Sequence, residues 1–161
     1  MRSRSLALSL AVLVSAAAAA APPQTDSAVN ALARDVFKEL IEINTTDSVG
    51  NVTAAAEAMA KRLRAGGFAA SDMQLLGPNE RKQNLVVRMK GSGEHKPVLM
   101  IGHLDVVEAN REDWSTDPFK FIERGGYFYG RGTQDMKDGD AIMVTTLLRL
   151  KKEGFRPSSQ T

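Results

Sequence analysis

Pro97-Val98-Leu99-Met100-Ile101-Gly102-His103-Leu104-Asp105 is the stretch on which the reading of this chain turns. Four successive apolar residues, bounded by Lys96 and by polar residues after Gly102, predict a strand buried on both faces, as in a parallel sheet covered by helices. In such sheets ligands bind beyond the carboxyl ends of the strands. His103 and Asp105 stand at that end, and residues two apart in an extended chain point to the same side.

Outward from this strand the pattern alternates between helix and strand. Val29, Leu32, Ala33, Val36, Phe37, Leu40 and Ile41 recur at helical spacing and predict an amphipathic helix over 27–43. Val52, Ala56, Met59 and Leu63 mark a second helix, ended by Gly66-Gly67, and Asn44 to Gly50 reads as a polar loop between the two. Leu85, Val87 and Met89 alternate with wetter residues, as in a strand. Phe119–Glu123 and Tyr127–Tyr129 read as a hairpin through Arg124-Gly125-Gly126, and 141–152 as a third, largely buried helix. The class is α/β.

The N-terminus is read apart from this domain. A basic start (Arg2, Arg4), an apolar run from Leu6 to Val14 and a small-residue tract from Ala16 to Ala21 have the layout of a secretory signal, too short to span a bilayer. Residues 1–21 are therefore expected to be removed on export, which places the protein outside the cell or in the periplasm. Residues 22–26 then form a linker and 27–161 the domain. Arg2 and Arg4 account for the whole excess of 21 basic over 19 acidic residues. Neither a nucleic acid nor, after cleavage, a membrane is expected as a partner. The chain has no cysteine, which excludes disulfides, thiolate ligands and a cysteine nucleophile. A metal would have to sit on carboxylates and on His95 or His103, the two histidines.

Gly130-Arg131-Gly132-Thr133-Gln134-Asp135 supplies the second polar motif. The glycines permit a tight backbone path, and Asp135 falls just before a helix, where amide dipoles favour an ionised carboxylate. Such a carboxylate can bridge two cations. Each piece alone has a plainer reading: His103 as a strand end with Asp105 starting a turn, and Asp135 as a helix cap. His95, between Glu94 and Lys96, reads as a solvated turn residue, and Lys61, Arg62 and Arg64 as the wet face of a helix. Asn44-Thr45-Thr46 and Asn51-Val52-Thr53 are glycosylation acceptors only in a host that glycosylates exported proteins.

Taken in order, His103-Leu104-Asp105-Val106-Val107, then Trp114 to Phe119, then Tyr129 to Lys137 resemble the aminoacylase and carboxypeptidase family of co-catalytic zinc peptidases (peptidase family M twenty) over about residues 28 to 157. The resemblance implies the N-terminal part of a three-layer αβα catalytic domain with a mixed, mostly parallel sheet. It implies His103 as a ligand of one metal, Asp105 as the residue that orients that histidine, and Asp135 as the carboxylate bridging two metals. Zinc is the implied metal, two ions per complete site, with cobalt as an alternative. A cis peptide bond after Asp135 is implied too. Arg131 and Trp114 fit the family pattern as scaffold residues. The implied substrate is a small peptide or N-acyl amino acid, cleaved by a metal-activated water, and a homodimer is an alternative for the full-length protein.

Two departures accompany the resemblance. Asp138 stands where the family usually carries glycine, and the family carries an apolar residue near Asp140; both aspartates are expected to face solvent at the helix start. The family continues with a Glu-Glu pair and further ligands that have no counterpart before Thr161. The chain is accordingly expected to be truncated and, as it stands, to lack catalysis. The alternative is a degenerate relative with weak or no metal binding.

Overall fold

The computed structural model describes residues 27–159. The expected leader (1–21) and linker (22–26) lie outside the described residues. Three helices carry the fold: α1 (Ser27–Glu42), α2 (Val52–Ala65) and α3 (Lys137–Lys152). Between them run β1 (Met73–Leu76), β2 (Asn84–Val87), β3 (Ile122–Arg124) and β4 (Tyr127–Tyr129).

α1 buries one stripe, Val36, Phe37, Leu40 and Ile41, and leaves its charged residues wet. α2 starts where the Asn51 side chain accepts from the Ala54 amide, and it ends at Gly66, whose N–H reaches the Arg62 carbonyl. Ala55, Met59 and Leu63 of α2 meet Ala141, Val144 and Leu148 of α3 and the α1 stripe in one core, with Phe68, Met73 and Phe121. β3 and β4 pair antiparallel around Gly125-Gly126 (φ +61° and +80°), a turn that suits glycine. The hairpin docks on α1 through three rings. Phe37 meets Phe121 and Phe128 edge-on at 5.5 and 5.6 Å, and those two stack at 5.0 Å.

α3 begins four residues earlier than its apolar pattern indicates. Its first turn carries Asp138 and Asp140, which apolar periodicity cannot register but which a helix N-terminus favours. β1, which pairs antiparallel with β2, was not legible in the sequence. Met73 and Leu75 turn inward, but the outward Leu76 is apolar as well, so no apolar–polar alternation marks it.

The central expectation is corrected. Residues 97–101 form no strand and are not buried: Val98, Leu99 and Ile101 are 78, 81 and 77% exposed and Met100 53%. A strand exists only where neighbours take its N–H and C=O groups, and among the described residues none pairs with this run. Both strand pairs that do form are antiparallel. The parallel contacts are two isolated bridges, Thr46 with Val106 and His95 with Ser159.

Candidate active site

The loop after α1, read from sequence as merely polar, holds the His103 segment in place. Thr45, fully buried, donates its hydroxyl to the Leu104 carbonyl at 2.6 Å, and the Val106 amide donates to the Thr45 carbonyl at 3.3 Å. Asn44 stiffens the loop by accepting from the Thr46 amide and hydroxyl, both at 2.9 Å.

The Asp135 segment is tied down from the other side. Gly132 (φ +88°) lies where a Cβ would come within 2.8 Å of Val106 and 3.0 Å of Lys137, so the motif glycine permits a close approach between the two polar motifs. Lys137 is completely buried. Its ammonium donates to the carbonyls of Leu40 at 2.7 Å and Ile43 at 2.8 Å, capping the C-terminal end of α1. Burial lowers its pKa to about 8, against the opposing pull of Asp140. Sequence reasoning missed Lys137, whose one signal was its place directly after Asp135-Met136. The peptide bond between Asp135 and Met136 is cis.

His103 and Asp135 are thereby brought together, with Nε2 3.0 Å from Asp135 Oδ1. On the other side of the ring, Nδ1 lies 3.1 Å from the backbone carbonyl of Asp105 and 3.4 Å from its carboxylate. The nearer orienting acceptor is thus the main chain of Asp105, not its side chain. A carbonyl at Nδ1 and a carboxylate at Nε2 both want a donor, so the ring sits here as an imidazolium donates, through both nitrogens. Burial lowers the His103 pKa, but the hydrogen bonds to the Asp105 carbonyl and Asp135 and the two nearby carboxylates outweigh it and raise the pKa overall. The three side chains are 47 to 85% exposed and line an open pocket of about 350 Å³ with Trp114, Arg131 and Gln134.

Arg131 and Trp114 form the far wall. The guanidinium lies 5.0 Å over the indole and donates to the Glu108 carbonyl at 3.2 Å, while the Arg131 amide donates to the Pro118 carbonyl at 2.7 Å. His95 is exposed in its turn, with its amide on the Ser158 carbonyl. Asp140 is corrected: it is 94% buried, not solvent-facing, since only 6% of its surface is exposed. Asp138 is half-buried.

Two ligands on one tetrahedral zinc sit about 3.3 Å apart, given bonds near 2.0–2.1 Å. His103 and Asp135, at 3.0 Å, match one edge of such a site. Among the described residues no group of three or more His, Asp or Glu side chains could hold a metal ion. On their own, two side chains do not complete a zinc site.

Helices packed beside short strands, with an exposed imidazole and carboxylate converging at the end of an extended segment, define an α/β arrangement with one His–Asp pair. The comparisons make this specific. Residues 99–160 match the sequence profile of Peptidase family M20/M25/M40. It is similar to a probable succinyl-diaminopimelate desuccinylase of Staphylococcus aureus strain Mu50, 41% identical over 86 residues, which cover 52% of this chain and 21% of that protein. It is also similar to the succinyl-diaminopimelate desuccinylase of Wolinella succinogenes, 43% identical over 84 residues, with 52 and 21% covered. The chain thus spans about a fifth of the length of the curated relatives it matches. Among solved structures, the di-peptidase Dug1p of Saccharomyces cerevisiae shares its fold, with a TM-score of 0.61 and 22% identity over 80% of this chain and 30% of that one.

Proposed function

We propose that this chain is the N-terminal portion of an exported, metal-dependent hydrolase of peptide or N-acyl amide bonds, with His103 and Asp135 as metal ligands. The observation that carries the reading is the convergence of His103 Nε2 on Asp135 Oδ1 at 3.0 Å, at the two family motifs. Relatives named as desuccinylases and a di-peptidase support the substrate class. Zinc is the proposed metal on donor chemistry: one imidazole, carboxylates and no thiolate. When bound, such ions lower the pKa of a coordinated water and polarise a carbonyl.

The chain's own residues do the positioning. The Asp105 carbonyl fixes the imidazole by accepting from Nδ1–H, which leaves Nε2 as the lone-pair nitrogen once the ring is neutral. Lys137 and Gly132 hold the Asp135 loop against Val106 and the end of α1. Substrate would reach the pair through the open pocket between it and the Trp114–Arg131 wall. Export rests on the ordered basic, apolar and small-residue leader.

Cobalt(II) absorption and zinc calorimetry on this chain test the ligands. His103→Gln and Asp135→Asn should each abolish or weaken binding at least tenfold, as expected when one of a few ligands is lost. Binding that survives both changes would place the metal elsewhere. Hydrolysis of N-succinyl amino acids and dipeptides by the protein as its gene encodes it should be chelator-sensitive; no such turnover would favour the degenerate-relative reading. Mass spectrometry of the exported protein should find the chain starting near residue 22, and an intact Met1 there would refute cleavage.

A further inference from the structure

A second cavity, of about 250 Å³, lies between the 98–104 segment, β2 and the inner faces of α2 and α3. Its walls are mostly apolar, with Asn84 and Asp140 the polar side chains among them, and four of the chain's seven methionines line it: Met59, Met89, Met100 and Met143. Methionine is unbranched and polarisable, so a wall built from it adapts to the shape of what it receives. One side of the cavity, Val98 to Met100, pairs with no strand among the described residues.

The single charged group lining this space is Asp140. Its Oδ2 is buried and has no hydrogen-bond partner. Its Oδ1 points at Gly102, 2.2 Å from where a Cβ would stand, so glycine at 102 is what leaves room for a carboxylate. His103 and Lys137 both attract Asp140 electrostatically, but Lys137, three residues earlier on the same helix, uses its ammonium on the α1 carbonyls. A carboxylate shut away from water without a donor is costly. Burial raises the Asp140 pKa to about 6, so the group still ionises at neutral pH. A buried carboxylate with one oxygen lacking a donor, set among mostly apolar, adaptable walls, is complementary to a cation on a hydrocarbon body.

We propose that this cavity binds a small primary organic ammonium, which donates to Asp140 and lays its aliphatic or aromatic body against Met59, Met89, Met100 and Met143. An ammonium offers three donors and a charge, an alcohol one donor and none, and a carboxylate would meet Asp140 as a like charge. The site needs no metal, and no residue lines both it and the His103 pocket, although Gly102 and Leu104 of its wall flank His103.

The methionine methyl groups report occupancy directly. The full chain, labelled with ¹³C at these methyls, is titrated near pH 7.5 with cyclohexylmethylamine, cyclohexylmethanol and cyclohexanecarboxylate. The amine should shift the four cavity methyls while Met73, in the main core, stays put. It should bind about tenfold or more tightly than the alcohol, the usual gain of a charge-assisted hydrogen bond, and the carboxylate should not bind. Asp140→Asn should remove the preference for amine and leave the alcohol unchanged. The three-ligand series on the unmodified chain decides the matter if that variant misfolds. Equal binding of all three ligands, or no shift of the cavity methyls, overturns the proposal: the cavity is then a plain apolar void. Neither result bears on metal binding by His103 and Asp135.

Discussion

The α1 stripe of Val36, Phe37, Leu40 and Ile41 and the run Val98 to Ile101 are both apolar, yet the first is buried in the core and the second among the most exposed. The difference lies in where each conformation finds its hydrogen bonds. A helix satisfies its backbone internally, so α1 needs only a surface for one face, and α3 provides it. An extended run needs a neighbour on each side before burial is affordable, and the described residues pair none with 98–101. Hydrophobicity selects residues for burial, but the ability to bury depends on backbone partners that a local pattern does not contain.

The comparison can be broken most forcefully at α1. Leu40→Ala removes a fully buried side chain from the junction of α1 and α3 and should cost about 2–5 kcal/mol in urea unfolding. A cost below about 1 kcal/mol would mean that this core collapses easily and is not the organising contact.

Asp140 sharpens the contrast, because it is a charge buried where an apolar residue would serve. Its folded pKa, about 6, lies above its ordinary value of 3.8, so between these values the folded state holds a proton that the unfolded state has released. Stability should therefore fall as pH rises from about 4 to about 6 and level off above, by on the order of 2–3 kcal/mol. Asp140→Leu should remove that fall and raise stability at pH 7. Thermal melts across this range check both, and a Leu variant less stable than the parent at pH 7 would show that Asp140 has found a partner.

Lys137→Met should come next, at about 1–2 kcal/mol: the Leu40 and Ile43 carbonyls lose their donor, while the cost of burying a charge disappears. A neutral or stabilising result would make the α1 cap dispensable. The smallest effect belongs to the exposed run. Ile101→Lys, at a site 77% exposed, should change stability by no more than about 0.5 kcal/mol. It should also reduce any self-association seen by light scattering, since it charges an unpaired apolar edge. A loss above 2 kcal/mol would mean that 98–101 is buried in solution, and the contrast with α1 would fail.

Three helices, the β3–β4 hairpin and the outline of the site were legible from residues alone. Helical periodicity, glycine pairs and the spacing of His103, Asp105 and Asp135 are local signals, and they report local geometry. Less was legible where a residue's role depends on a distant partner. Lys137 reads as a surface lysine until the α1 carbonyls stand above it, and Asp140 as a solvated helix start until Gly102 and Met143 close over it. Thr45 reads as loop until Leu104 needs a donor. The Asp105 carbonyl, rather than its carboxylate, is the nearer acceptor for the imidazole, a choice of under half an ångström that no spacing rule contains.

The sequence by itself determined which residues can chelate, which segments can coil and which family the motifs resemble, because each depends on side-chain chemistry at fixed intervals. Only the tertiary structure decided that His103 and Asp135 meet, that Lys137 and Asp140 are buried, and that the apolar run at 98–101 stays in solvent. Burial and pairing are properties of the neighbours a residue acquires, and those come from parts of the chain up to 97 residues away.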